Sequence, residues 1–328
     1  MHPLFAFLAA GFAVPVFAAA PHYRVVAQLP AGDGGWDILS VDPVDQRLYV
    51  GRSDGVTAID LKTGKAIDRI VPGQRVHSAL AIPGTHEVIA TNGGADSATL
   101  FDGRTGRIRA TLATGKNPDA AAYDPATRTL WVMDAGSGEA TAIDPAAAKV
   151  LATVTIGGSL EFAAADGRGR MYVNVEDRNE VAVLDTRARK VLARFPLAGC
   201  DEPTGIAFDP AARAIVSACG NGVAIVSAPN GRQIARLTIG KGADGAAYDA
   251  KRHLVLIPAG RDGNLTIIRL RPTAAVVEQV ATAVSARTIA LDPSTGRAYL
   301  PSATLAPAVG KERPKPVPGT FRILVVAP

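Results

Sequence analysis

The sequence has few of the residues on which several classes of protein depend. It contains only 2 Cys among 328 residues, which is too few for a disulfide scaffold or a four-thiolate metal site. Charged residues make up 20% of the chain and form no block of one sign, so neither a disordered tail nor a nucleic-acid-binding arm is indicated. Aromatic residues make up 5%, and without a basic stripe the sequence argues against binding of nucleic acid.

Familiar catalytic motifs are also missing. We find no G-x-S-x-G nucleophile elbow, no H-E-x-x-H zinc motif, no P-loop and no C-x-x-C-H haem site. The 33 Gly and 23 Pro leave little room for long helices, which excludes a helical bundle. What remains is a chain that is 48% hydrophobic with a formal charge of +5, and these values suit a globular β-rich protein.

Residues 1–20 are predicted to be a secretory signal peptide. Positions 4–20 form an apolar run that ends in small residues, and cleavage after Ala18 fits that pattern. A membrane-spanning helix is the alternative, but the run is short, contains Pro15 and lacks a positively charged flank after it. No other segment approaches the roughly 20 apolar residues that a span requires. We therefore expect a periplasmic or secreted protein, monomeric and without a membrane span after cleavage.

A short apolar stretch, often ending in Asp-Pro, recurs seven times at intervals of 40 to 43 residues. The positions equivalent to the Asp are Asp42, Ile82, Asp124, Asp166, Asp209, Asp249 and Asp292. Each stretch is followed by further runs rich in β-branched residues and bounded by Gly, Pro, Asp or Asn, which predicts four strands per repeat. Seven such repeats predict an all-β fold, a seven-bladed β-propeller of four-stranded blades.

The two ends of the chain support this prediction. The seventh repeat lacks its fourth run, and the segment 23–29 supplies a matching one before the first repeat. The N-terminal strand should therefore complete the C-terminal blade and close the ring. A right-handed β-helix is the competing fold, but its shorter rungs do not explain the displaced strand. We predict one propeller domain over 21–328, with a Pro-rich inserted loop at 301–320 that either extends into solvent or docks a partner.

Three passages carry a resemblance to a known family: GKNPDAAAYDPATRTLWVMD, CDEPTGIAFDPAARAIVSACGNGVAIV and ARTIALDPSTGRAYLPSA. They resemble the YVTN-repeat β-propellers, specifically the exported YncE-like group, and the likeness extends over residues 22–328. The resemblance implies the seven-bladed fold and export. It implies no single activity, because these proteins are described mostly as binding or scaffold propellers and sometimes as gluconolactonase-like, and fold analogy is a weak guide to chemistry.

One level of the repeat is polar in all seven copies, at the start of the predicted innermost strand. Its residues are Asp37, His77, Asp119, Glu161, Thr204, Asp244 and Arg287. Equivalent positions surround the channel of a propeller, so we expect a ring at one mouth, which we call the mouth ring. Its formal charge is about −3 with His neutral, because four acids face one Arg, whereas the whole chain carries +5.

Three uses of the mouth ring remain open. A divalent cation such as Ca²⁺ suits the carboxylates of Asp37, Asp119, Glu161 and Asp244. An organic ligand could instead place an acidic group on Arg287 and His77 and a hydroxyl or amine on the acids. The third use is a face that docks a protein, and the structural alternative to all three is a solvated funnel held by its own ion pairs.

A second polar level comes ten residues after each repeat anchor and supplies candidate supporting residues. Asn92, Asp134 and Glu176 could add to a ligand shell, although capping of their own loops is the commoner use of such residues. Trp36, beside the first residue of the mouth ring, could stack on a ligand or simply pack.

Cys200 and Cys219 flank one predicted hairpin, with Cys200 before the inner strand and Cys219 at the end of the strand that returns. This arrangement can bring their Cα atoms into disulfide range, and an oxidising compartment favours the bond. A dithiol metal site with His77 and a pair of free thiols are the alternatives.

These features lead to three functional hypotheses. The first is an exported, non-catalytic propeller that binds a small ligand, a metal or a partner at the mouth. The second is a metal-dependent, lactonase-like hydrolase in which a held cation polarises a carbonyl or activates water. The third is a scaffold for protein interactions that uses the blade rims and the inserted loop.

Overall fold

The computed structural model describes residues 22–308 and 314–328, so the predicted signal at 1–20 lies outside the described residues. Within the described ranges, 28 strands form seven antiparallel sheets of four strands each. The all-β, seven-bladed prediction is confirmed. No helix in this part of the chain is long and apolar enough to cross a membrane.

The strands are numbered in chain order, and the first four complete blades run from the inner strand outward. Blade 1 consists of β2 (Trp36–Asp42), β3 (Arg47–Arg52), β4 (Gly55–Asp60) and β5 (Ala66–Pro72). Blade 2 consists of β6 (Val76–Ala81), β7 (Glu87–Asn92), β8 (Ser97–Asp102) and β9 (Ile108–Ala113). Blade 3 consists of β10 (Pro118–Asp124), β11 (Thr129–Asp134), β12 (Glu139–Asp144) and β13 (Lys149–Thr155). Blade 4 consists of β14 (Leu160–Ala165), β15 (Arg170–Val175), β16 (Glu180–Asp185) and β17 (Lys190–Pro196), with a 3₁₀-helix at Glu176–Arg178.

The last three blades continue this order except at the chain ends. Blade 5 consists of β18 (Pro203–Asp209), β19 (Ala214–Cys219), β20 (Val223–Ser227) and β21 (Gln233–Thr238). Blade 6 consists of β22 (Ala247–Asp249), β23 (Leu254–Ala259), β24 (Asn264–Arg269) and β25 (Ala275–Ala281). Blade 7 consists of β26 (Ala290–Leu291), β27 (Ala298–Ser302), β28 (Arg322–Ala327) and, outermost, β1 (Arg24–Pro30).

The ring closes through the N-terminal strand, as the sequence predicts. β1 pairs antiparallel with β28, so the order in blade 7 is β1-β28-β27-β26. Each inner strand contacts the inner strands of both neighbouring blades, including β2 against β26. Seven clusters of buried apolar side chains lie between successive blades, one at each interface around the ring. The hydrophobic core therefore consists of seven apolar layers, each packed between two neighbouring blades.

The repeated Asp of the sequence pattern stabilises the turn after the inner strand. The Asp42 carboxylate accepts a hydrogen bond from the Val44 N–H at 2.8 Å, and the Asp292 carboxylate accepts one from the Ser294 N–H at 2.9 Å. A carboxylate that accepts from the backbone two residues ahead is the Asx-turn geometry. These turns lie on one face of the propeller, the anchor face. The inner strands begin on the opposite face, the mouth face.

The inserted loop in the last blade folds back on itself. Pro301 and Ser302 belong to β27, so the insertion begins at Ala303, two residues later than the sequence suggests. Beyond that point the Ala306 N–H donates to the Lys315 carbonyl at 2.8 Å. We call the paired segments 303–308 and 314–320 the ribbon. Its base is tied to the connection between β1 and β2, because the Gly319 N–H donates to the Asp33 carboxylate at 2.5 Å.

Candidate functional site

The mouth-ring residues lie where the inner strands begin, and the backbone there is irregular. In blades 1 to 5 the pairing of inner and second strands shifts register across the mouth-ring position, for example between Trp36 and Leu39 and between Val76 and Ala79. Such bulges re-aim a side chain that a regular strand would direct elsewhere. In blades 6 and 7 the equivalent residues, Asp244 and Arg287, precede the short strands β22 and β26.

Five mouth-ring residues form one continuous chain of contacts across five blades. His77 Nδ1 lies 2.7 Å from Asp37 Oδ2 and 3.3 Å from Asp119 Oδ1. Arg287 donates from Nη2 to the other Asp37 oxygen at 3.2 Å and from Nε to Asp244 at 2.5 Å. The chain therefore runs Asp119, His77, Asp37, Arg287, Asp244, and Asp37 joins its two halves.

The remaining two members of the mouth ring stand apart from that chain. Thr204 is buried, and its hydroxyl donates to the Ala243 carbonyl of the next blade at 3.0 Å. Glu161 is half-buried, and within residues 22–308 and 314–328 its carboxylate has neither a hydrogen bond nor an ion pair. The seven positions are therefore equivalent in the sequence repeat but differ in the contacts that their side chains make.

Burial and mutual repulsion raise the pKa values of Glu161, Asp119 and Asp244. Burial, reinforced by Asp119 and Asp244, raises the pKa of Glu161 to about 10. Burial and the nearby Asp37 raise the pKa of Asp119 to about 7, although His77 opposes that shift. Burial also raises the pKa of Asp244 despite its contact with Arg287. The formal count of −3 therefore overstates the charge of the ring at neutral pH.

His77 lies between two acids, which favour its protonated form. Burial lowers its pKa, but the hydrogen bond to Asp37 and the charge of Asp119 outweigh that effect, so the net shift is upward. Its Nε2 atom is buried without a partner among the described residues.

A cavity of about 600 Å³ opens at the mouth. Its wall combines acidic, basic and apolar side chains, including Glu176, Thr204, Asp244, Arg287, Trp36, Leu305, Pro314 and Pro316. Of the mouth ring, only Thr204, Asp244 and Arg287 are among its lining residues. The ribbon supplies one apolar wall, so the insertion contributes to the mouth and does not simply extend into solvent.

The predicted supporting residues divide between the mouth and their own blades. Glu176 and Trp36 line the cavity, and Trp36 also packs on Phe321 with ring centroids 5.1 Å apart. Asn92 and Asp134 are buried inside their blades, where Asn92 donates to Thr99 at 3.0 Å and Asp134 accepts from Thr141 at 2.6 Å. The hydrogen bonds of these last two residues therefore lie within their own blades.

The structure shows positioning residues that the repeat pattern did not reveal. Thr288 donates to the Asp37 carbonyl at 2.9 Å, and Thr91 donates to the Asp119 carbonyl at 2.6 Å, in each case from the neighbouring blade. Asn174 holds the Thr204 carbonyl in the same way at 3.0 Å. A polar side chain within an apolar run of the sequence is the signal that could have identified all three.

The predicted metal ligands are only partly gathered. Among the described residues, the one group that brings three candidate ligand atoms within 4.8 Å of one another is Asp37, His77 and Asp119. The expected set of Asp37, Asp119, Glu161 and Asp244 is not gathered in this way, because the Asp244 carboxylate is held by Arg287. Any metal at the mouth would therefore have a mixed nitrogen and oxygen ligand set.

Cys200 and Cys219 are joined as a disulfide, with Cα atoms 5.5 Å apart. Both are buried in the cluster between blades 4 and 5, and the bond links the segment before β18 to the end of β19. Neither sulfur is therefore free to join His77 in a dithiol metal site.

Removal of this disulfide is expected to destabilise the protein measurably. The bond closes a loop with a sequence separation of 19, for which the chain-entropy model gives about 3 kcal/mol. The variant Cys200→Ala/Cys219→Ala should therefore unfold at a lower denaturant concentration than the wild type. Reductant should lower the wild-type midpoint toward that of the variant and leave the variant unchanged. An equal response of both proteins to reductant would contradict the prediction.

Comparison with known proteins identifies the fold only. No protein-family model matches the sequence, and no curated protein matches it. Among solved structures, a chain of Kuenenia stuttgartiensis hydrazine synthase has a TM-score of 0.69 at 16% identity, covering 81% of this chain and 92% of that chain. A chain of the mitotic checkpoint complex gives 0.73 at 15%, covering 99% and 98%. U3-55K gives 0.75 at 13%, covering 92% and 98%. At these identities the likeness establishes a shared β-propeller fold and carries no function to this chain.

Proposed function

We propose that this protein is an exported, non-catalytic propeller that binds a small, positively charged ligand at the channel mouth. The observation that carries the proposal is the unpartnered carboxylate of Glu161 in a mouth ring with four acids and only two cationic side chains. A half-buried carboxylate without a partner is disfavoured as an anion. A ligand cation would supply the charge that the ring lacks.

The shape of the mouth supports a small ligand. A volume of about 600 Å³ lies within the range of small-molecule sites, which typically combine apolar walls with a few polar groups. Glu176 offers an acceptor for an ammonium group, while Trp36 and Leu305 offer apolar contact. A metal ion would instead use the Asp37, His77 and Asp119 group.

Export and a monomeric state are part of the same proposal. The apolar run at 4–20 and the resemblance to exported YncE-like propellers support export, and a disulfide at Cys200 and Cys219 suits an oxidising compartment. Ring closure through β1 leaves no incomplete blade for a second chain to complete, which supports a monomer.

Calorimetric titration with putrescine, Ca²⁺ and Zn²⁺ tests the proposal. We expect at least one of these cations to bind, with an affinity that rises with pH, because binding favours the deprotonated acids. The pKa of Asp119 near 7 places part of that rise close to neutral pH. Glu161→Gln should weaken putrescine binding by about tenfold, the loss of one charge-assisted contact.

The matched control is Asp54→Asn, which removes an acid from the same face at a site where the side chain is 69% exposed. It should bind the probe as the wild type does. Failure of all three cations to bind at millimolar concentration would overturn the proposal, and so would an equal loss of affinity in both variants.

A metal-dependent hydrolase is the second candidate, and the Asp37, His77 and Asp119 group favours it. A cation there could polarise a carbonyl or activate water. Lactone hydrolysis that depends on added Zn²⁺ or Ca²⁺ and disappears in His77→Gln would favour this candidate. Binding of putrescine without any hydrolysis would favour the first.

A further inference from the structure

A second cavity lies on the anchor face, opposite the mouth. It has a volume of about 780 Å³ and spans blades 2, 3 and 4, where the turns after the inner and third strands meet. We call it the anchor groove. Its apolar wall includes Ile82, Tyr123 and Leu151, and three arginines line it: Arg128, Arg187 and Arg189.

These arginines are not used by the fold. All three are exposed, and within residues 22–308 and 314–328 none forms an ion pair with an Asp or a Glu. Arg104 occupies the same turn position in blade 2, and unlike Arg187 it forms an ion pair, with Asp102 at 3.1 Å. Surface arginines without an acid are available for an external anion.

The two acids that line the anchor groove are already engaged. Glu87 pairs with Arg109 at 2.9 Å, and that guanidinium also reaches the carbonyl of Pro145. The Asp144 carboxylate accepts the N–H groups of the turn that follows it, at 2.9 and 3.1 Å. Three arginines then face one carboxylate, that of Asp144, without a cationic partner among the described residues, so the net charge of the groove is positive.

Thr186 is an independent indication of a ligand. Its side chain is only 2% exposed and lines the anchor groove, yet its hydroxyl has no hydrogen-bond partner among the described residues. A buried hydroxyl without a partner costs free energy, typically about 1–3 kcal/mol. Arg187 and Arg189 follow Thr186 within three residues. The segment 186–189 therefore presents two guanidinium groups and one unpartnered hydroxyl to the anchor groove.

We propose that the anchor groove binds a phosphorylated small molecule with an aromatic or aliphatic body. The phosphate is a compact dianion with three acceptor oxygens, which suits the guanidinium groups of Arg128, Arg187 and Arg189 together with the Thr186 hydroxyl. The body of the ligand packs on Tyr123 and Leu151. This site is separate from the mouth, and its ligand has the opposite charge to the one proposed there.

Titration of the full protein with phenyl phosphate tests this assignment, with inorganic phosphate and phenol as partial probes. Phenyl phosphate should bind more tightly than either fragment, because it engages both the arginines and the apolar wall. Arg187→Gln/Arg189→Gln should weaken phenyl phosphate by about tenfold or more. Thr186→Val should weaken it several-fold while its Tm stays equal to that of the wild type or rises, since the lost hydroxyl has no partner in the fold.

Arg104→Gln is the matched control, because it makes the same change at the equivalent turn position of blade 2. It should bind phenyl phosphate as the wild type does. Three results would overturn the assignment: phenyl phosphate binding no better than phenol, unchanged binding in Thr186→Val, or an equal loss in Arg104→Gln. A fall in the Tm of Thr186→Val with unchanged affinity would give the hydroxyl a structural role.

Discussion

Tyr23→Ala is expected to lower the free energy of unfolding by about 3–5 kcal/mol, the usual range for truncation of a large buried side chain. Tyr23 is 1% exposed and lies in the cluster between blades 6 and 7, against residues such as Leu254 and Leu324. Its hydroxyl also donates to Asp249 at 3.4 Å. The side chain therefore secures the start of the strand that closes the ring.

Chemical denaturation of the wild type and the variant measures this effect, and Val26→Ala is the control from the same strand. Val26 is 45% exposed, so its truncation should change the free energy of unfolding by less than about 0.5 kcal/mol. A similar small effect for both variants would mean that β1 contributes little to closure. Tyr23→Phe isolates the hydroxyl and should lose about 1 kcal/mol.

The fold could be predicted from the sequence because its signals are local and recur in every repeat. Asp42, Asp124 and Asp292 each stabilise a turn by a hydrogen bond within three residues, so the turn chemistry is visible without any knowledge of tertiary structure. Ring closure was also predictable, since a missing strand at one end matched a surplus strand at the other. Pairing of the N-terminal strand with the C-terminal blade is then the arrangement that gives every blade four strands.

The sequence predicts which residues form the mouth ring but not which of them contact one another. All seven mouth-ring residues occur at the start of an inner strand, yet Arg287 contacts Asp37 and Asp244 while Glu161 has no ion pair within the described part of the chain. Those pairings depend on distances across the channel and on bulges, and neither appears in a repeat alignment. The ribbon was similarly hidden, because nothing local in the insertion shows that Leu305 and Pro316 pair and turn toward the mouth.

Glu161→Gln is expected to remove a pH dependence of stability that the wild type shows. Burial, with Asp119 and Asp244 nearby, raises the Glu161 pKa from 4.5 to about 10. Between those values the folded protein holds a proton that the unfolded chain has released. The free energy of unfolding of the wild type therefore falls as pH rises, by at most about 1.4 kcal/mol per pH unit for one proton. Glutamine carries no such proton, so this slope is absent from the variant.

The two proteins should be about equally stable below about pH 4.5, where Glu161 is protonated in both states. As pH rises, the free energy of unfolding of the variant should increase relative to that of the wild type, by at most about 4 kcal/mol between pH 5 and pH 8. Denaturation curves across that range measure the gain, and Asp54→Asn, 69% exposed, should follow the wild type at every pH. A constant difference between Glu161→Gln and the wild type would show that the pKa of Glu161 is not raised.

The same substitution is expected to act in opposite directions on stability and on binding. It removes a carboxylate whose ionisation the folded apo protein resists, and it also removes a negative charge on which the proposed cation depends. A saturating cation should lower the pKa of Glu161 and thereby reduce the pH slope of the wild type, because ligand binding to the folded state adds to its stability. If Glu161 had only a structural role, the pH dependence of the free energy of unfolding would be the same with and without the cation. An active site or binding site that sacrifices stability for function has this signature.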